Sequence, residues 1–198
     1  QNALAVSGED TQLAAAIEAA RLREQTERRI QNLTTLTRVS GSLNRTLDRD
    51  KILHTVLEEM MRLVTPIGDQ QTGVVFLLDA DGLKLRLRAA RRSALDGASE
   101  VTSGSAWSPP ATETAIALPA ALFEENLKGQ KVAELEPPPG VLTSLFPGES
   151  LVAVPLHAER RATGIVLMSG QLAGSETAEL LSALADMAAV SAEKAHLH

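Results

Sequence analysis

The sequence predicts an α+β fold: a central antiparallel sheet of five or six strands, with N- and C-terminal helices packed on one face and short helices and loops on the other. Three observations carry this. Two apolar runs, Leu151–Leu156 and Gly164–Met168, flank a polar turn from His157 to Thr163, which reads as a β-hairpin. Neither run alternates apolar with polar, so both faces of each strand are expected to be buried, which places the pair in the middle of a sheet with layers above and below. Helical stripes then bracket the strand-rich middle of the chain. Within the hairpin Val152, Val154, Ile165, Val166 and Leu167 favour strand, because branched or bulky side chains fit a pleated, packed surface. Pro155 cannot donate to a ladder, so it belongs at a strand end or where its nitrogen faces no partner.

Composition sets the bounds. A chain of 198 residues suits one domain with an extension. It is 44% hydrophobic but only 2% aromatic, so the core must be largely aliphatic. Lys and Arg total 19 against 25 Asp and Glu, a net charge of −6, which disfavours nucleic acid as a partner. With no cysteine there is no disulfide framework, thiolate metal site or cysteine nucleophile. Apolar runs fall far short of the ~18 residues of a membrane span, and the start, QNALAVSGED, lacks the basic and apolar regions of a signal peptide. The expectation is a soluble cytoplasmic protein, cut from something longer.

Ser7 to Leu47 reads as one long helix or two with a kink, with Ser7 as its cap. Its apolar residues come in two blocks, Leu13–Leu22 and Ile30–Leu47, separated by the wholly polar Arg23–Arg29, a pattern of solvent-bridging connectors. In the second block Ile30, Leu33, Leu36, Val39 and Leu43 recur at three- and four-residue steps, either as a two-helix seam or as a stripe packed on the domain's own sheet. Asp48 caps a second helix striped by Ile52, Leu53, Val56, Leu57, Met60 and Val64, with Pro66 beyond its end. Thr72–Asp79 is a near-continuous apolar strand. Asp79-Ala80-Asp81-Gly82 is a turn, with Gly82 supplying a positive φ. Leu83–Ala89 alternates Leu with Lys or Arg, as a half-buried strand near an edge does. Ser93–Thr114, with Trp107, is a long loop. Short elements follow: a strand over Ala115–Pro119, a helix over Ala120–Lys128 ended by Gly129, a strand over Lys131–Leu135 and a helical turn over Val141–Phe146. Ser175 caps a final helix with the stripe Leu180, Leu181, Leu184, Met187 and Ala188.

Three of these stretches carry a family resemblance. The run of strand, Val-Pro-Leu, polar turn and Gly-Ile-Val-Leu strand at 151–168 resembles the closing hairpin of GAF domains, small-molecule-sensing relatives of PAS domains. LTTLTRVSGSLNRTLDRDKILHTVL, residues 33–57, resembles their entry segment, and strand, DxDG turn, alternating strand resembles their first hairpin. The likeness covers about residues 30–198. It implies a ligand pocket between the middle segment and one face of the sheet. Ala195-His196-Leu197 also echoes Ala20-Arg21-Leu22. Residues 1–29 are therefore expected to be a connecting helix, the tail of a preceding similar domain, and residues 30–198 the GAF domain, in a tandem array feeding a histidine kinase, cyclase or phosphatase output.

The chemistry is sparse. Arg86, Arg88, Arg91 and Arg92 form one basic cluster, suited either to an anion, since guanidinium forks match carboxylate and phosphate, or to the solvated face of an edge strand. Trp107 could be a pocket lid or a loop anchor. Arg86, Arg88, Trp107 and Phe123 stand as ligand-binding candidates. Ile30, Leu33, Leu36, Val39 and Leu43 stand as a homodimer seam. Asp79 and Asp81 begin like a calcium loop but lack its later ligands, including the closing glutamate. His54 or His157 could be an axial haem ligand, as in some GAF sensors, although a lone histidine is more often hydrogen-bonded structure. Without cysteine, neither covalent bilin attachment nor the sulfoxide-reducing chemistry of some members is expected, and the Asn-Lys…Phe…Asp-Glu pattern of cyclic-nucleotide binders is missing. No catalytic constellation or metal spacing is present, so no enzyme is expected. The resemblance implies a non-catalytic sensory module that binds a small molecule or signals through dimerising helices. The alternatives are a ligand-free dimerisation spacer and a haem or other cofactor sensor.

Overall fold

The computed structural model describes residues 3–43, 48–94, 116–129, 131–136, 140–146, 150–159 and 161–197. The chain divides into two compact units, Gln1–Arg38 and Val39–His198. Helix α1, Ala3–Leu43, supplies the whole described part of the first and contributes its last residues to the second. Ser7 lies inside this helix and not at its start. Within the first unit Leu13, Ile17, Leu22, Ile30 and Leu33 are each more than half exposed, and Leu36 is half-buried. The polar segment between the blocks is held by a helical ion pair, Arg28 to Glu24 at 2.5 Å.

The second unit is built on a six-stranded antiparallel sheet in the order β3-β2-β1-β6-β5-β4. The strands are β1 Gln70–Leu78, β2 Lys84–Ala94, β3 Ala117–Pro119, β4 Ala133–Leu135, β5 Leu151–Ala158 and β6 Arg161–Ser169. The expected hairpin is β5–β6, and its strands run further into the predicted turn than the apolar pattern shows. Every residue of β5 is buried, as are the last six of β6. Pro155 sits opposite Ile165. On its other side the pairing with β4 stops at Ala153, so no neighbouring strand there requires a donor from residue 155.

One face of the sheet carries helices. Helix α2, Arg49–Met61, starts where Asp48 Oδ1 accepts from the Asp50 and Lys51 amides. Its stripe of Ile52, Leu53, Val56, Leu57, Met60 and Met61 is buried against β1, β2 and the final helix α5, Ser175–Leu197. Gly73 lets α2 come close, since a Cβ there would stand 2.7 Å from Met61 Sδ and 2.9 Å from Leu57 Cδ1. The start of α5 differs from expectation. Gly174, at φ 150°, accepts the Ala178 amide through its carbonyl, and Ser175 is already helical. Val39 and Leu43 are buried within this unit, 1% and 2% exposed. They thus behave as a stripe packed on the domain itself, while Ile30 and Leu33 remain open.

The other face is covered by short pieces: a single tight helical turn, Ala120–Phe123, then α3, Glu124–Gly129, and α4, Val141–Leu145. A bulge at Arg88 interrupts β2: Val75 pairs with Ala89 and Phe76 with Leu87. This breaks the alternation that holds from Leu83 to Leu87, and β2 runs on to Ala94.

Close packing of β6 on β1 yields a direct test. A Cβ on Gly164 would collide with the Phe76 carbonyl oxygen, whereas one on Gly41, in α1, meets nothing within 4 Å. In urea unfolding, Gly164→Ala should therefore cost about 1–3 kcal/mol. Gly41→Ala should gain up to about 1 kcal/mol through helix propensity. Equal effects at the two positions would contradict the register.

Candidate functional site

The face opposite α2 and α5 holds the one cluster that contains all three phenylalanines of the chain. Strand alternation aims Val74 and Phe76 of β1, Leu85 of β2, Ile165 and Leu167 of β6, and Leu151 and Ala153 of β5 to this side. Phe123, Leu142, Leu145 and Phe146 close over them, each at most 1% exposed. The middle of this layer is therefore filled by side chains.

Beside it, towards the β1–β2 and β5–β6 turns, lies a cavity of about 600 Å³. Leu78, Leu83, Ala120, Ala121, Leu127 and Ala162 give it an apolar wall. Glu124, Lys128, His157 and Arg161 supply its polar groups. Its size falls in the range of small-molecule sites. Glu124 and Lys128 form an ion pair one helical turn apart, and the Lys128 ammonium holds the Glu124 carboxyl below its usual range. Arg161 pairs with Glu193 of α5 at 3.2 Å. His157 is buried, with Nε2 2.9 Å from the Leu127 carbonyl oxygen. A carbonyl only accepts, so Nε2 carries the proton, and in the neutral ring Nδ1 is left as an acceptor. His157 thus ties the end of β5 to α3. It also stands near enough to Asp186 of α5 to oppose the upward push that burial gives that carboxyl.

A smaller cavity, about 330 Å³, lies between Ser40 and Leu43 of α1 and Asp186, Met187, Val190, Ser191 and Lys194 of α5. The end of the first helix and the last helix therefore share a wall.

The structure places the residues singled out by sequence as follows. Arg86 lies between Leu85 and Leu87, which point into the phenylalanine cluster, so it faces the opposite side. There its Nε donates to both carboxylate oxygens of Asp79 at 2.8 Å. Arg88 is exposed at the bulge, and Phe123 is buried in the filled layer. None of the three lines the 600 Å³ cavity. Trp107 falls outside the described residues. The remaining arginines of the cluster are tied down: Arg91 pairs with Glu58 of α2 at 3.2 Å, and Arg92 Nε donates to Thr72 Oγ1 at 3.1 Å. Asp81 Oδ1 accepts from the Leu83 amide, so both aspartates of the calcium-like turn serve the turn itself. His54 lies half-buried on α2. Of the cavity's polar residues the sequence singles out only His157. Glu124, Lys128 and Arg161 belong to no motif, and only the fold gathers them. Among the described residues no three or more His, Cys, Asp or Glu are placed to hold a metal. No described helix is long and apolar enough to cross a membrane.

Comparison with known proteins agrees with this architecture. The family model described as "GAF domain" matches residues 50–194. No curated protein matches. Among solved structures, the chain is similar to the GAF domain from an Acinetobacter phosphoenolpyruvate-protein phosphotransferase, with a TM-score of 0.58 and 18% identity, covering 84% of this chain and 95% of that one. It is similar to the phycoerythrobilin-bound GAF domain of a cyanobacterial phytochrome, with a TM-score of 0.57 and 16% identity over 84% of this chain and 96% of that one. It is also similar to the free methionine-R-sulfoxide reductase of Neisseria meningitidis in complex with its substrate, with a TM-score of 0.55 and 15% identity over 84% and 90%. At these identities the structures speak to the fold. The family match, which spans most of the second unit, speaks to descent, and by it the chain belongs to the GAF domain family.

Proposed function

We propose that this domain is a non-catalytic sensory module that takes a small molecule into the 600 Å³ cavity and passes its occupancy to the terminal helices. The cavity carries this reading: it joins an apolar wall to a few convergent polar groups on the side opposite α2 and α5. His157 offers the coupling, because it lines the cavity, holds α3 by the Leu127 carbonyl and acts on Asp186 of α5. A phytochrome GAF domain of the same fold holds a bilin, which supports ligand binding as a use of this architecture. In this reading residues 1–29 are the tail of a preceding domain and residues 30–198 the sensor, acting in the cytoplasm on a kinase, cyclase or phosphatase output. The exposed Ile30 and Leu33 stripe of α1 makes the homodimer contact. Val39 and Leu43 support the domain's own core and not that contact.

A second reading, a dimerisation spacer without ligand, is favoured by the three phenylalanines that fill the centre of the layer. A haem sensor would have to ligate iron through Nδ1 of His157, whose Nε2 is held by Leu127, or through half-buried His54.

Native mass spectrometry of freshly purified protein separates the first two readings. The sensor reading predicts an added small-molecule mass that disappears in Ala162→Phe, which fills the cavity. Sequence mass alone, with no thermal shift from any of a metabolite panel, supports the spacer. Light scattering tests the seam. Ile30→Ser with Leu33→Ser should halve the particle mass and leave the unfolding midpoint of the sheet domain unchanged. An unaltered dimer would refute the contact.

A further inference from the structure

We propose that the 600 Å³ cavity takes an amphipathic monocarboxylic acid, whose carboxylate draws Arg161 away from Glu193 of α5. The proposal rests on the sensor reading of that cavity and adds the chemical class of the ligand and a contact through which it acts. Leu77 of β1 pairs with Gly164 of β6, so the β1–β2 and β5–β6 turns leave the sheet at the same end. The cavity sits there. Its inner part is made by Leu127 and His157, both 8% exposed, with half-buried Leu78, Ala120 and Ala162. Of these inner side chains only that of His157 is polar, and its Nε2 is engaged by the Leu127 carbonyl. The outer part holds Glu124, Lys128 and Arg161, all exposed, beside Leu83, an apolar side chain left 69% exposed. A molecule that fits is therefore apolar at its inner end and charged at its outer end.

The donors fix the sign of that charge. Lys128 pairs with Glu124, and Arg161 Nη2 donates to Glu193 Oε1 at 3.2 Å. Each of these pairs engages one of several N–H donors on its cation. Glu193 does not line the cavity, so the lining carries two cations, Lys128 and Arg161, against one anion, Glu124. A carboxylate evens that balance and meets unused donors. An ammonium would meet both cations and compete with Lys128 for Glu124. A dianion would leave excess negative charge beside Glu124. Arg161 belongs to two layers at once. As the first residue of β6 it lines the cavity, while its guanidinium reaches Glu193 of α5. The two side chains of that pair are 77% and 39% exposed, and ion pairs so open to water contribute little. A carboxylate anchored by burial of its own apolar body outcompetes Glu193 for the guanidinium fork. Glu193 is then released, and occupancy reaches α5 by a route separate from His157.

The test is calorimetric titration of the whole chain with octanoate, octylamine and octanol at matched ionic strength, with phenylacetate to separate a chain from a ring as the apolar body. One octanoate per chain is expected, bound about tenfold tighter than octylamine or octanol and lost in Ala162→Phe. Arg161→Gln should weaken octanoate about tenfold and leave octanol unchanged. Glu193→Gln, an exposed change outside the cavity, should tighten octanoate about two- to fivefold, because Arg161 loses its competing partner. A purely structural role for the Arg161–Glu193 pair would not give the two variants opposite signs. Tighter binding of phenylacetate than of octanoate, with the same response to both variants, supports the class with a ring as its body. Octanoate no tighter than octanol, or unmoved by Arg161→Gln and Glu193→Gln, would overturn the carboxylate assignment. If octanol then still binds once per chain and is lost in Ala162→Phe, the cavity stands as a site for another class of molecule. No binding by any probe also overturns the proposal, and the sensor reading falls with it only where native mass spectrometry and the metabolite panel are blank as well.

Discussion

The β5–β6 hairpin keeps water off both of its faces, and the rest of the domain follows from that. Val152, Val154, Leu156 and Val166 are at most 1% exposed on one side, and Leu151, Ala153, Ile165 and Leu167 are fully buried on the other. Two apolar faces need two covers. The first cover is α5 with α2, whose alanine-rich and leucine-rich stripes lie flat on the sheet. The second is not one long helix, because β3 and β4 come from the same stretch of chain. It is assembled from a tight turn, α3 and α4, with Phe123 and Phe146 as its bulk packed on Phe76 of β1. Each would cost about 3–5 kcal/mol if cut to alanine. A chain with only 2% aromatic residues has thus placed its phenylalanines where the sheet meets the cover built from short, irregular pieces. The glycines obey the same constraint: Gly73 admits α2 and Gly164 admits the β1 backbone.

The proposed ligand site sits where this packing stops. The phenylalanine layer fills the middle of its face and leaves a cavity only near the sheet's turns, where α3 meets the end of β5. His157 is positioned by that meeting. Its bond to the Leu127 carbonyl can persist only if α3 keeps its distance from the strand, so a molecule that moves α3 must act on this imidazole. Asp186, on the helix layer, feels the same ring. In the proposed sensor this contact is what would carry occupancy to α5, and through the shared wall at Leu43 to the end of α1. On the helix-covered face, Asp79 before the β1–β2 turn pairs with Arg86 and Glu58 of α2 pairs with Arg91.

Much of the fold was legible because its signals are local. Continuous apolar runs marked β1, β5 and β6, Asp48 marked the start of α2, and Gly82, at φ 71°, marked the first hairpin turn. Errors arose where one pattern serves two ends. A three- and four-residue stripe looks the same whether it meets a second chain or its own sheet, so Ile30, Leu33, Val39 and Leu43 could not be divided by periodicity. Burial divides them. Ser7 and Ser175 are plausible caps by residue type, yet Ser7 lies inside a helix described from Ala3, and Gly174 flanks the start of α5. The bulge at Arg88 has no signature in an alternating strand, since the alternation simply appears to end. The resemblance implied a pocket between the middle segment and the sheet but not its polar groups, which belong to no single element and come from α3, the end of β5 and the start of β6.

Hydrogen–deuterium exchange, read residue by residue, tests the doubly covered hairpin most directly. If β5 and β6 are sealed on both faces, the amides of 152–154, 156 and 164–168 exchange only through global unfolding and are the slowest in the chain. Those of the short edge strands, 117–118 in β3 and 133–135 in β4, exchange far sooner. Exchange in β5 and β6 as fast as in these edge strands would contradict the account.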